Sequence, residues 1–368
     1  TPFLDEPYQY SNGKTIKNWD DKYMGLLTLR AALGESRNIP ALKAFQIVDN
    51  KKIIDFVESM GLKPEIDGGH IHEAHAIGGY NGTSPVELAG AFAAFGNGGY
   101  FTEPYSVYKI EYRENGDIQE FKSKKERVMS ESTAFMITDV LYDSVEIGFN
   151  RGLKISGVSI AAKSGTTNFD AKTKKAYKLP YLATNDAWVV GYSPDYVVAL
   201  WYGYEKISNI YYNTTNLGFT QRTALFKAIG NGIFDKNKKK FATTNSVIEV
   251  KVEKETIPAM LVSNYTPSNM ILNEYFKKGT EPTEVSPRFD KIATNVTNLD
   301  ATYDNIDNKY ILTWNKVDTP TYLTDQYFID NYRSTFGQYI NKYLEKYKAL
   351  NNSYLGTFGY NIYSKNNT

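Results

Sequence analysis

Two short stretches hold side chains suited to chemistry on a carboxylate-bearing substrate. The first is Lys163-Ser164-Gly165-Thr166-Thr167-Asn168, at the end of an apolar run over 158–163. Lysine supplies a positive charge, serine and threonine supply hydroxyl donors, and glycine lets a ligand approach the backbone closely. Such an edge grips a carboxylate and offers backbone N–H groups to an oxyanion. The plainer reading is a polar exit from strand to loop. The second stretch is Ser36-Arg37-Asn38, in a break between two helical patterns. Its hydroxyl and amide point the same way only if the loop is held rigid. The plainer reading there is a helix cap.

Two other groups compete with these. His70, His72 and His75, with Glu73 nearby, have metal-ligating side chains, but no helix sets them on one face. They read as a solvated loop, and no metal or cofactor is expected. Ser11-Asn12-Gly13-Lys14 has the spacing of a serine nucleophile with a lysine base. That pair needs a helix start to set the lysine beneath the serine, and Asn-Gly signals a turn.

The elements that must position these residues can be traced along the chain. Residues 1–24 read as an extended or looped lead-in. Thr28 caps a short apolar-periodic stretch that breaks at Gly34. Pro40, in a first turn, restarts a helix, and 51–60 carries helical spacing that stops at Gly61. Ser84, Pro85 and Glu87 form a capping box ahead of a helix whose body, 86–95, is small and apolar. A hairpin turns at Asn115-Gly116, and a capped helix covers 130–145. Strands follow over 158–163, 187–192 and 196–204, then a helix over 221–234. Helices first, then strands flanked by helices, predict an α+β domain with an antiparallel sheet. Beyond 240 the pattern is β-like at 247–252, at two runs around 304–308, and at 361–363. Residues 327–350 read as a helical insertion.

Composition narrows the function classes. The 368 residues suggest two or three domains. Lys plus Arg number 42 against 41 Asp plus Glu, a net charge of +1. That excludes a dedicated nucleic-acid binder and a polybasic membrane-surface protein. The absence of cysteine removes disulfides, zinc-thiolate sites and thiol nucleophiles together. No stretch reaches the ~18 apolar residues of a membrane span.

Taken together, the motifs resemble the transpeptidase domain of class A penicillin-binding proteins, the bifunctional peptidoglycan synthases of bacteria. That family carries Ser-x-x-Lys, Ser-x-Asn and Lys-(Thr/Ser)-Gly. Ser36-Arg37-Asn38 is similar to the second motif and Lys163-Ser164-Gly165 to the third, 127 residues on. Thr83-Ser84-Pro85-Val86-Glu87-Leu88-Ala89 and Asp186-Ala187-Trp188-Val189-Val190-Gly191 look like the family's connecting helix and strand. Phe276-Lys277-Lys278-Gly279-Thr280-Glu281-Pro282 is similar to a segment that follows the domain in some members. One departure is Gly148-Phe149-Asn150-Arg151, where the family usually carries a Gly-Thr-Gly type loop.

The resemblance implies the penicillin-binding-protein/serine β-lactamase-like fold over 1–240, a β-rich connecting segment over 241–291, and a partial fibronectin type III-like module over 292–368. It implies acyl transfer from D-Ala-D-Ala stem peptides, with β-lactams as mimics. Ser36 would relay a proton, Asn38 would bind the lysine of Ser-x-x-Lys and the substrate backbone, and Lys163 would keep the field positive. Ser164 and Thr166 would hold the terminal carboxylate beside Gly165, and the Thr166 N–H would serve the oxyanion. The nucleophilic serine is expected upstream of Thr1, with a membrane anchor and a glycosyltransferase domain. The setting implied is the outer face of the bacterial membrane, with cell-division or elongation proteins as partners. The alternatives are a D,D-carboxypeptidase or β-lactamase-like hydrolase, and a non-catalytic cell-wall-binding surface protein.

Overall fold

The computed structural model describes residues 2–80, 82–236, 239–290, 296–356 and 359–360. They pack as two units, one within residues 2–247 and one within residues 248–360.

In the first unit, β1 (Phe3–Asp5) pairs with β2 (Gly25–Leu27), and Tyr8–Gln9 pairs with Thr15–Ile16. The expected looped lead-in is therefore two small ladders, too short for a sequence period to reveal. Next come α1 (Leu29–Gly34), capped by Thr28, and α2 (Asn38–Gln46). Then follow α3 (Asn50–Ser59), capped by Asp49, and α4 (Pro85–Gly96), with its capping box formed as expected. The hairpin at Asn115-Gly116 forms, and Ser130 caps α5 (Glu131–Glu146).

The antiparallel sheet is built from β3 (Ala161–Asn168), β4 (Ala183–Tyr192) and β5 (Val197–Gly203), with the short strand Asn213–Thr214. β4 is central, and Val190 lies opposite Lys163 on one side and Ala199 on the other. Among the described residues β3 pairs only with β4, so its outer edge is open. The expected strand 158–163 is shifted. It begins at Ala161 and continues through the polar motif, because β4 supplies ladder partners as far as Asn168. Lys163-Ser164-Gly165-Thr166 is thus strand, not an exit from one.

Adjacent residues of a strand face opposite sides of a sheet. Tyr192 packs on Phe92 of α4 and sets its hydroxyl 3.0 Å from Thr138 of α5. Gly191 instead backs onto Phe226 of α6 (Thr215–Ile233). Helices α4 and α5 therefore cover one face and α6 the other. The α6 side is filled by Val189, Val198, Ile160, Leu153, Phe226 and Phe234.

In the second unit β6 (Val247–Glu253) pairs with β7 (Ile271–Lys277), and β8 (Asp300–Asp304) with β9 (Lys309–Thr313). These are the strands expected at 247–252 and around 304–308. The strand expected at 361–363 lies outside the described residues. The insertion read at 327–350 is a helical pair, α7 (Asp325–Phe336) and α8 (Ile340–Leu355). Phe328, Tyr332, Phe336, Tyr343 and Tyr347 recur at helical spacing and pack together, with Phe336 stacked on Tyr343 at 4.3 Å. This pair departs from a fibronectin-like β module. Among the described residues no helix is long and apolar enough to cross a membrane.

A Cβ on Gly191 would lie 2.5 Å from the Phe226 ring. Gly191→Ala should therefore lower the unfolding free energy by about 1–3 kcal/mol. Urea unfolding measures this, and an unchanged midpoint would show that the ring yields freely.

Candidate active site

The loop between α1 and α2 is set by how α1 ends. Ser36 N–H donates to the Leu33 carbonyl at 3.1 Å, and Arg37 N–H to the Ala32 carbonyl at 2.9 Å. This is the paired closing pattern of a helix whose next residue turns left-handed, a position usually held by glycine. Here it is Ser36, at φ 54°. A side chain there costs about 1–2 kcal/mol relative to glycine.

Arg37 points the other way, into the protein, and is 3% exposed. Its guanidinium donates to Asp5 and Asp20, each at 3.0 Å, and to the Lys22 carbonyl. Asn18 links the same Asp5 to the start of α2. It donates to Asp5 at 2.7 Å and accepts the Asn38 N–H at 2.9 Å. Asn38 Nδ2 donates to the Lys17 carbonyl at 2.9 Å. The loop is therefore rigid, the condition that Ser36 and Asn38 need to act together. Arg30 adds a clamp from α1 to α5 through Asp139 at 2.6 Å and Asp143 at 2.5 Å.

Across from this loop, Lys163 on β3 donates to Ser36 Oγ at 2.7 Å and to the Ser164 carbonyl at 2.8 Å. Burial of the ammonium, and secondarily the charge of Arg222, pull its pKa down to about 8. Arg222, on α6, is buried and donates to the Gly165 carbonyl at 2.6 Å and Thr166 Oγ1 at 2.7 Å. Burial lowers its pKa to about 10, so it too is cationic at neutral pH. Two cations thus flank the polar edge strand, and the Thr166 side chain is exposed beside them. Ser164 donates to Asn150 Oδ1 at 2.8 Å. Near Ser36, Trp19 donates to the Glu35 carbonyl at 3.3 Å and packs on Phe149, ring centroids 5.0 Å apart.

The structure brings Ser36 to Lys163 and sets Ser164, Gly165 and Thr166 along the adjoining edge, with Asn38 at the start of α2. Ser11 is elsewhere in the unit, donating its hydroxyl to Glu73 at 2.6 Å. The histidines have other tasks: His70 bridges Asp67 through the backbone, His72 caps a short turn, and His75 packs on Tyr80. Among the described residues no group of three acidic or histidine side chains could hold a metal. Sequence reasoning missed the anchoring role of Arg37, the cation Arg222 and the amide of Asn150. Arg37 carried one signal, being the middle of three residues whose outer members must share a direction.

Comparison with known proteins adds to this geometry. The chain matches the family model described as penicillin binding protein transpeptidase domain over residues 2–230. Residues 243–291 match the model described as penicillin-binding protein 1A, C-terminal domain. The chain belongs to the penicillin-binding protein transpeptidase family. It is 38% identical over 336 residues to penicillin-binding protein 1A/1B of Bacillus subtilis, covering 88% of this chain and 36% of that protein. It is 34% identical over 211 residues to penicillin-binding protein 1A of Streptococcus oralis, covering 55% of this chain and 32% of that protein. In fold it is like the crystal structure of penicillin-binding protein 1A from Haemophilus influenzae. The TM-score is 0.61 at 24% identity, covering 77% of this chain and 46% of that one. The chain spans about a third of the length of the curated relatives it matches.

Two outcomes are expected. Ser36→Gly and Ser36→Ala both remove the hydroxyl, but glycine relieves the left-handed backbone. The glycine variant should be the more stable by about 1–2 kcal/mol in urea unfolding; equal stability would contradict the strain. The second concerns Lys163, whose folded pKa of about 8 lies below its ordinary 10.5. Between these values the unfolded chain binds more protons, so stability should rise with pH across that window. Lys163→Met should lack this contribution, seen as a pH-dependent gap between the two unfolding curves. A gap constant from pH 7.5 to 10.5 would show an unshifted lysine.

Proposed function

We propose that residues 2–247 form the acyl-transfer cleft of a D,D-transpeptidase that cross-links peptidoglycan. The observation that carries this reading is the 2.7 Å contact between Lys163 Nζ and Ser36 Oγ, made across 127 residues between a strained loop and an open edge strand. On this reading Lys163, Arg222 and Thr166 hold the terminal carboxylate of a D-Ala-D-Ala stem peptide against β3, with Ser164 and Gly165 completing the wall. Gly165 leaves room for the substrate backbone to run alongside as an added strand.

The nucleophile is a serine from a segment preceding these residues, since Ser11 is committed to Glu73. Its oxygen attacks the carbonyl of the penultimate D-Ala while the lysine of its own Ser-x-x-Lys motif takes the hydroxyl proton, and the Thr166 N–H stabilises the oxyanion. The C–N bond then breaks. Ser36, whose oxygen already accepts from Lys163, passes its own proton to the departing amine of the terminal D-Ala and takes in its place the proton held by that lysine. Asn38 steers the substrate backbone. The acyl group leaves the serine when the amine of a second stem peptide attacks, and the proton that amine loses returns to the serine oxygen through the same lysine, which restores the enzyme. β-Lactams acylate the same serine. The reading places the protein on the outer face of the bacterial membrane, working with cell-division or elongation machinery. The parent would add a glycosyltransferase domain. Residues 241–291 serve as a connecting segment and 292–368 as an appended module.

A fluorescent penicillin tests this on a denaturing gel. The parent polypeptide, extended upstream of Thr1, should be labelled, and residues 1–368 alone should not. Labelling of the shorter chain would place the nucleophile inside it and bring Ser11 forward. No labelling of either would remove the transpeptidase reading. Release of acyl groups to water in place of an amine would favour the carboxypeptidase alternative.

A further inference from the structure

The loop between α5 and β3 holds Asn150, whose amide stands beside the strand. Asn150 is 3% exposed. Its Nδ2 donates to Ser144 Oγ at 2.9 Å and to the Ala162 carbonyl at 3.4 Å. Ser144 donates to the Gly34 carbonyl at 2.9 Å. Ser164 donates to Asn150 Oδ1 at 2.8 Å.

The direction of each bond follows from the end of this chain. A carbonyl only accepts, so Ser144 spends its single proton on Gly34. Ser144 can then only accept from Asn150, which turns Nδ2 toward Ser144 and the Ala162 carbonyl and Oδ1 toward Ser164. Reversing the amide would set two acceptors against each other at Ser144 and leave the Ala162 carbonyl facing an oxygen. Oδ1 in turn takes the proton of Ser164. At Thr166 the polarity is opposite. A guanidinium only donates, so Thr166 Oγ1 accepts from Arg222 and keeps its own proton free for the cleft.

We propose that Asn150 is a positioning residue that claims the Ser164 proton and so sets which hydroxyl can donate to a bound carboxylate. Resting on the transpeptidase reading, this assigns hydroxyl donation to Thr166, flanked by the two cations. Ser164 presents an acceptor to the cleft, suited to an N–H of the substrate or a water. For Ser164 to donate outward, the buried carbonyl of Asn150 would have to give up its donor. The amide therefore tunes how firmly a carboxylate is held against this strand.

A double-substitution cycle on the full-length parent polypeptide tests the proposal. Asn150→Gly, Ser164→Ala and the pair together are compared by the second-order rate of acylation by penicillin G. With Asn150 replaced, the Ser164 proton is released toward the ligand carboxylate. The loss caused by Ser164→Ala should then be about ten to a hundred times greater in the Asn150→Gly background than in the wild-type background, the size of a hydrogen bond to a charged group. Equal losses in both backgrounds would overturn the assignment. A second readout needs no catalysis. In thermal unfolding of the same four proteins, Ser164→Ala should lower Tm only where Asn150 is present. Additive Tm changes would refute the pairing. If no variant acylates but the Tm cycle shows coupling, the hydrogen bond stands and the transpeptidase reading is what fails.

Discussion

The contact on which the site depends is the ammonium of Lys163 resting on the hydroxyl of Ser36. Withdrawing an ammonium from water costs several kcal/mol even after relaxation, while a hydrogen bond to a charged group returns about 1.5–3 kcal/mol. Lys163 has two such bonds and, among the described residues, no carboxylate partner. The balance is left unfavourable, and the depressed pKa expresses it. A second buried cation, Arg222, stands behind the same strand. The protein concentrates positive potential at one edge and withholds the anion that would neutralise it. On the proposed reading, a ligand carboxylate completes that arrangement.

Bringing the two partners together is the work of elements far apart in sequence. The ladder of β3 on β4 fixes where the lysine leaves the sheet. The clamp from Arg30 to Asp139 and Asp143 fixes α1 against α5, and the Arg37 ties to Asp5 and Asp20 fix the loop. Only after these constraints act is Ser36 held in a conformation that a free loop would abandon for one better suited to a side chain. Local strain in the loop is thus offset by buried ion pairs one residue away.

Much of the fold was legible because its signals are local. Thr28, Ser84 with Glu87, and Ser130 announce helix starts through cap chemistry that involves only neighbouring residues, and all three cap as expected. The tripeptides around Ser36 and Lys163 were legible through their order and separation. What stayed hidden depends on partners distant in sequence. Arg37 and Arg222 look like surface charges until tertiary contacts bury them. Nothing in the residues around Asn150 shows that it faces Ser164. The strand was placed too early because alternation of apolar residues reports burial, and the edge half of β3 is polar while still fully paired. Residues 327–350 read as a charged, aromatic helical insertion, and Phe328, Tyr332 and Phe336 form the core of the helix pair found there.

The open side of β3 has a consequence apart from chemistry. A strand edge without a neighbouring strand is a template on which other chains can assemble into aggregates, and proteins guard such rims with charge and irregularity. Here the guard is the motif itself. A lysine, a glycine and a run of hydroxyl side chains make the rim a poor surface for indiscriminate strand pairing. If the proposed recognition holds, one octapeptide serves both it and solubility, and neither can be altered there without disturbing the other.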